Sequence, residues 1–226
     1  MQQIPLDIGL ERTPDLAHYL PGPNEAALGQ LRAWLGQVGG HNPVWLYFWG
    51  DSSSGKSHLL RATQHELALR GLRTGWMDAS SPLQAFDEGW SALLLDDVQH
   101  YDAAQQQQAF SWLAQARSLH LPALAAGDAT PATLALREDL RNRLGWGLVQ
   151  ELQVPSEAQT RAVLRQEADA RGIVLGDDVL DFMLRHFSRD LGSLMELLEH
   201  IDGYALYAKR AVTVPLIKAM LLADEA

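Results

Sequence analysis

The sequence predicts an α/β protein: a five-stranded parallel sheet flanked by helices, followed by a small all-helical domain. Three observations predict it. Short apolar runs alternate with stretches of helical period over the first two thirds of the chain. A glycine- and serine-rich octapeptide, GDSSSGKS (Gly50–Ser57), falls between one such run and a helix-forming stretch. After VPSE (Val154–Glu157) the runs cease and only helical periodicity remains. Strands that alternate with helices indicate parallel pairing through right-handed crossovers.

Taken in order, residues 1–9 form an apolar, extended N-terminal peptide, and Pro5, Pro14 and Pro21 keep residues 1–22 from helix formation. Ala27, Leu28, Leu31, Trp34 and Leu35 share one stripe of a first helix. VWLYFW (44–49) is a continuous apolar run, the pattern of a strand covered on both faces. TGWM (74–77), ALLL (92–95), ALAA (123–126) and GLVQEL (147–152) supply the other four strands. The α/β domain is therefore placed at 10–154 and the helical domain at 155–226. In the latter, Val179, Phe182, Met183, His186 and Phe187 lie on one helix face, and Leu191, Leu194, Met195, Leu198 and Ile201 on another. VTVPL (212–216) starts a last helix. QQQQ at 105–108 reads as a solvated helix face, and Trp45, Trp49 and Trp146 as core.

Composition narrows the function. The 226 residues are 47% apolar and carry a net charge of −10. The 18 Lys and Arg look scattered in the sequence, so a phosphate backbone finds no basic track, and direct sequence-specific DNA binding is not expected. The absence of Cys fits a reducing compartment. No signal peptide or run of membrane-spanning length is present, and the expected location is cytoplasmic. No His/Asp/Glu grouping has metal-ligand spacing.

GDSSSGKS fits G-x-x-x-x-G-K-[ST] in the strand-to-helix context that gives the motif its meaning. Glycines let main-chain N–H groups cradle phosphate oxygens, and the helix N-terminus adds favourable partial charge. The nucleotide set is Gly50, Asp51, Ser52, Ser53, Ser54, Gly55, Lys56, Ser57 and the adjacent His58, whose ring reads as helix packing. Lys56 would reach the β- and γ-phosphates, and Ser57 would hold Mg²⁺. SALLLDDVQH (91–100) ends a strand with two carboxylates: Asp96 to orient Mg²⁺, Asp97 to position or polarise an attacking water. The expected cofactors are ADP or ATP with Mg²⁺.

Together with PGPNEAAL (21–28), SSGKSHLL (53–60), LLLDDVQ (93–99), ALAAGDATP (123–131) and RNRLGWGL (141–148), this resembles the AAA+ ATPases. It is most similar to the initiator branch represented by the replication initiator DnaA, over about residues 16–222. The resemblance makes Asp128, which closes the fourth strand, the sensor 1 residue. It makes Arg143 the arginine finger that reaches the nucleotide of a neighbouring protein. Arg141 lies nearby, and the plain alternative for Arg143 is a surface pair with Glu138 or Asp139. In the lid, the sensor 2 arginine position falls on Gly192, with Arg185 and Arg189 out of register.

Two departures direct the expectation away from an origin-binding initiator. No helix-turn-helix domain follows the lid, and 79–92 is too short for the inserted helical hairpin of DnaA-like initiators. What remains resembles the small regulators of this branch, which precede the module with a peptide for the DNA polymerase sliding clamp. QIPLDI (3–8) is similar to that peptide, with Gln3, Ile4, Leu6 and Ile8 as anchors. Alternate apolar side chains would enter pockets while the Gln amide makes polar contacts.

The resemblance implies a negative regulator of replication initiation. It would bind the DNA-loaded clamp and stimulate hydrolysis of DnaA-bound ATP through Arg143 in trans, with weak ATPase of its own at most. Self-association through the tail or the Arg143 face is compatible with this. A stand-alone initiator-branch ATPase such as a helicase loader is the alternative.

Overall fold

The computed structural model describes Leu16 and residues 22–40, 43–187 and 191–224. They fall into two compact units that meet in sequence between Val154 and Pro155. The first unit holds α1 (Glu25–Gln37), β1 (Trp45–Trp49), α2 (Lys56–Leu69), β2 (Thr74–Met77), β3 (Ala92–Leu95), α3 (Ala103–Ser118), β4 (Ala123–Gly127), α4 (Glu138–Leu144) and β5 (Leu148–Glu151). The strands form one parallel sheet in the order β2-β3-β4-β1-β5.

The continuous apolar runs have a direct cause. Side chains alternate between the two faces of a strand, and both faces here are covered. Trp45, Tyr47, Leu93, Leu95, Ala123 and Ala125 pack on one side with Trp112 and Leu113 of α3 and Leu140 and Leu144 of α4. Leu46, Phe48, Leu94, Leu124 and Ala126 pack on the other with Leu31 and Trp34 of α1 and Leu59 and Leu60 of α2. The indole N–H of Trp34 donates to Val44 O at 2.9 Å, so a large apolar side chain is buried without stranding its polar atom. β5 departs from the pattern. It is an edge strand, and Leu148 and Val149 are exposed.

The glutamine tract is not a solvated face. Asp102 and Gln105 form a reciprocal capping box at the start of α3. Gln105 is buried, and its amide also donates to the carbonyls of Asp78, Ala79 and Ser81 at 3.3, 3.0 and 3.3 Å. Gln106 donates to Tyr101 O and accepts from Arg137 N, Gln107 bonds the Arg137 guanidinium, and Gln108 bonds Gln84 O. Loops flank this helix on both sides, and their main-chain groups need partners that only long amides can reach. Among these, the β2–β3 connection (78–91) contains no helix.

The second unit contains α5 (Glu157–Ala170), α6 (Asp177–His186), α7 (Leu191–Ala208) and α8 (Val214–Asp224). Leu164, Val179, Leu180, Met183, Leu194, Leu198, Ile201, Ile217 and Met220 meet in its core. Ser156 and Gln159 form a capping box on α5. Arg161 ties that helix to α6 by pairing with Glu157 and Asp181 at 2.9 and 2.6 Å. Among the described residues, no helix is long and apolar enough to cross a membrane.

Replacing Gln105 by Ala removes half of a capping box and leaves part-buried carbonyls short of a donor. The expected loss is about 1–2 kcal/mol. Gln115→Ala, on the exposed side of the same helix, should cost less than about 0.5 kcal/mol. Urea unfolding of both variants measures the difference, and equal midpoints would remove the glutamine tract from the fold's support.

Candidate functional site

Parallel pairing brings the carboxyl ends of β1, β3 and β4 to one edge of the sheet, where Trp49 is in register with Gly127 and Leu95 with Ala125. The loop Gly50–Gly55 leaves β1 at that edge. Gly50 has φ +152°, and a Cβ there would lie 2.2 Å from Leu152 O, so no side chain fits. Gly55 caps α2 at φ +90°, and Ser53 also takes a left-handed conformation at φ +67°. This winding turns the loop into the first turn of α2, whose main-chain N–H groups lack intrahelical partners. Asp51, Ser52 and Ser53 are exposed, while Ser54 and Lys56 are buried.

The Lys56 ammonium is folded under the loop. It donates to Gly50 O at 2.7 Å and Asp51 O at 2.8 Å, and lies 3.4 Å from Ser54 Oγ. Burial lowers its pKa, and the charges of Asp97, Asp96, Asp128 and Asp51 oppose that shift. The loop is thus wrapped around the Lys56 ammonium.

Asp96 is 2% exposed. It accepts hydrogen bonds from the Ser57 hydroxyl and from Asp97 N. Burial pushes its carboxyl up to about 6, with the neighbouring Asp97 charge adding to the rise. Asp97 sits at φ +48° and accepts from the Gln99 amide at 3.0 Å. The other end of that amide accepts from Asp128 N at 3.2 Å, so Gln99 links the two strand ends. Tyr47 lies beneath Gly127, where a Cβ would come within 2.2 Å of its hydroxyl, and donates to Ala129 O at 2.9 Å. Burial and the Asp128 charge both raise the Tyr47 pKa.

Lys56, Ser57, Asp96, Asp97 and Asp128 are therefore brought together. His58, half-buried on the first turn of α2, follows them directly. Gln99 and Tyr47 belong to the same cluster and were not singled out from the sequence. The DDVQ stretch held the signal for Gln99: an amide two residues past paired carboxylates. Asn24 is a third addition. It is buried, and its amide makes paired hydrogen bonds to Gln153 O at 2.9 Å and Gln153 N at 2.8 Å, tying the start of α1 to the chain after β5. The donor set fits a hard divalent cation: a hydroxyl (Ser57) and a carboxylate (Asp96) already in contact. The left-handed glycine loop fits a phosphate group.

A second group forms where α3 faces α4. The Arg143 guanidinium lies 3.8 Å from the centroid of the Phe110 ring and donates to Phe110 O at 3.2 Å. Burial lowers its pKa, Asp139 opposes the shift and Arg117 adds to it. Arg141 is turned back to Ala132 O at 3.1 Å. The surface pair suggested as the alternative for Arg143 does not form with Asp139, whose carboxylate is held by Arg137 at 2.7 Å. Two sequence expectations need correction here. Trp146 is not core: it is 49% exposed, because the chain turns out of α4 before β5. Nor are the arginines uniformly scattered, since Arg117, Arg137 and Arg143 share the rings of Phe110 and Trp146. The packing of α3 against α4 across β4, invisible in linear sequence, gathers them.

In the second unit Gly192 is the second residue of α7, and Arg185 is exposed on the last turn of α6. Arg189 and the peptide positions Gln3, Ile4, Leu6 and Ile8 lie outside the described residues.

Residues 157–221 match the family described as the lid domain of Hda. The chain is similar in structure to domain III of the Thermotoga maritima replication initiation protein DnaA, with a TM-score of 0.66 and 20% identity over 93% of this chain and 96% of that one. It is also similar to AMPPCP-bound DnaA from Aquifex aeolicus, with a TM-score of 0.65 and 21% identity over 83% of this chain and 65% of that one. The Thermotoga maritima RuvB branch migration motor follows at a TM-score of 0.60 and 15% identity, over 94% and 72%. The parallel sheet flanked by helices and followed by further helices is the fold expected from the sequence and is similar to that of these proteins, and residues 157–221 match the Hda lid.

Asp96 gives the site a pH signature. Its folded-state carboxyl keeps a proton up to about pH 6, whereas the unfolded chain releases it near 4. The folded state binds more protons in that window, so stability falls as pH rises from about 4 to about 6 and then levels off. Asp96→Asn should abolish this slope and, without nucleotide or Mg²⁺, be more stable at pH 7 by on the order of 2 kcal/mol. Denaturant unfolding of both proteins across pH 4–8 checks it. An unchanged slope in the variant would assign the effect elsewhere.

Proposed function

We propose that this protein is a negative regulator of DNA replication initiation. It binds ADP or ATP with Mg²⁺ through the Gly50–Ser57 loop, binds the DNA-loaded sliding clamp through residues 3–8, and stimulates hydrolysis of DnaA-bound ATP. The observation that carries this reading is the match of residues 157–221 to the Hda lid, in a chain whose other unit has a DnaA-like fold and a complete phosphate-loop set.

Within its own site, the loop amides and Lys56 would bind and orient the phosphates, and Ser57 with Asp96 would hold Mg²⁺, whose charge neutralises that of phosphate. Asp97 and Asp128 stand at the strand ends where an attacking water would be oriented. Gly192 leaves the sensor 2 position without a cation, which weakens contact with a γ-phosphate. The protein therefore either hydrolyses ATP slowly or favours ADP. ATP affinity well above ADP affinity, with brisk turnover by the isolated protein, would contradict this.

Toward the partner, Arg143 supplies a fixed, permanently charged fork to the γ-phosphate of DnaA-bound ATP, where charge develops in the transition state. Capture by the clamp raises the effective concentration of this surface near DnaA, so the direct contact can stay weak. Shut-off then follows synthesis, because the clamp is present only once the polymerase has loaded it. The protein acts mainly as an activator of another protein's ATPase, and its own site holds the module in shape.

The deciding experiment is DnaA ATP hydrolysis on clamp-loaded DNA, with and without this protein. Wild type should accelerate it. Arg143→Ala should remove most of a stimulation of roughly 10³–10⁵ while clamp pull-down is unchanged. Deleting residues 1–9 should abolish the pull-down. Full stimulation by Arg143→Ala would refute the finger assignment, and clamp capture without residues 1–9 would refute the peptide.

A further inference from the structure

Trp146 carries a second arginine. Arg117, on the last turn of α3, lies 4.4 Å from the centroid of the Trp146 ring, and Arg143 lies 5.5 Å from it. Arg137 reaches Phe110 at 5.7 Å but is occupied by Asp139. Arg117 is exposed, and its place at the carboxyl end of a helix favours a cation. In a chain of net charge −10, Arg117, Arg137 and Arg143 converge on the rings of Phe110 and Trp146, where Glu138 and Asp139 are the acidic residues of α4. The rings attract each guanidinium without cancelling its charge. A surface so arranged is complementary to a compact, multiply charged anion.

We infer that Arg117, seated on Trp146, is a second partner-contacting cation beside Arg143, and that the two together receive the polyphosphate of a nucleotide bound to another protein. This rests on the reading of Arg143 given above. Two other anions fit less well. A single carboxylate satisfies one guanidinium and leaves the other. A single-stranded nucleic acid would need bare ring faces for stacking. Here Arg143 covers Phe110, while Arg117 and the tilted ring of Trp45, at 5.7 Å, lie against Trp146.

The test uses the full chain with clamp-loaded DNA and DnaA, comparing wild type with Arg117→Ala, Arg117→Glu, Arg117→Lys and Trp146→Phe. Stimulated hydrolysis should fall about tenfold for Arg117→Ala and further for Arg117→Glu. It should be partly retained by Arg117→Lys and Trp146→Phe, with thermal midpoints and clamp capture unchanged. Affinity for ATP-loaded DnaA should drop more than affinity for ADP-loaded DnaA. Wild-type stimulation by Arg117→Glu would overturn the inference and leave the Arg143 assignment standing. An equal loss against both nucleotide states would transfer Arg117 to a protein carboxylate and overturn the polyphosphate contact. If wild type itself does not stimulate DnaA, the functional reading fails and this inference fails with it.

Discussion

The α/β unit is organised around one buried cation. Lys56 is 7% exposed, and a charge so placed is stable only when its donors are used and opposite charge is near. Gly50 O and Asp51 O accept hydrogen bonds from it, and Asp51, Asp96, Asp97 and Asp128 surround it electrostatically. Each of those groups comes from the loop after β1 or from the end of β3 or β4. Parallel pairing is what lets strands from three crossovers end together. Gly50 and Gly127 are part of the same constraint, since a side chain at either would strike Leu152 O or the Tyr47 hydroxyl.

The carboxylates stand in tension. Burial raises Asp96 to about 6, with the Asp97 charge adding to the rise, and the Asp96 charge in turn opposes the lowering of the Lys56 pKa by burial. Gln99 relieves part of the strain by anchoring Asp97 to the main chain of Asp128 with a neutral amide, which adds no charge. The same solution recurs along α3. There Gln105 and Gln106 satisfy carbonyls and an amide of three connections, those after β2, β3 and β4. Amides serve where a charged side chain would add to an acidic surface.

Much of this was legible in the sequence. Apolar runs located β1 to β4 because both faces of the sheet are covered there. β5 also read as a strand, although its exposure did not show, since an edge position is set by topology and not by composition. GDSSSGKS and LLLDDVQ were legible because their chemistry requires fixed spacing in one segment. The links made by Asn24, Gln99 and Gln105 were hidden, because their partners lie 129, 29 and 24 to 27 residues away and amides carry no pattern of their own. The QQQQ tract misled for the same reason: its composition is that of a solvated face, and only the surrounding loops give it work. Trp146 misled because aromatic content predicts burial on average and says nothing of a guanidinium waiting to cover the ring.

On the proposed reading, an arginine meant for another molecule's phosphate faces conflicting demands. It must be held still, or the entropy of ordering it weakens the contact. It must also remain uncompensated, or nothing is left to offer. A carboxylate partner would meet the first demand and defeat the second, as Asp139 does for Arg137. Arg143 is held instead by a ring face and one main-chain carbonyl, which restrict the guanidinium and leave its net charge intact. Arg117 on Trp146 repeats the arrangement without the carbonyl. Exposed tryptophan beside α4 therefore has a physical reason: a polarisable surface fixes cations in a chain whose excess of carboxylates would otherwise quench them.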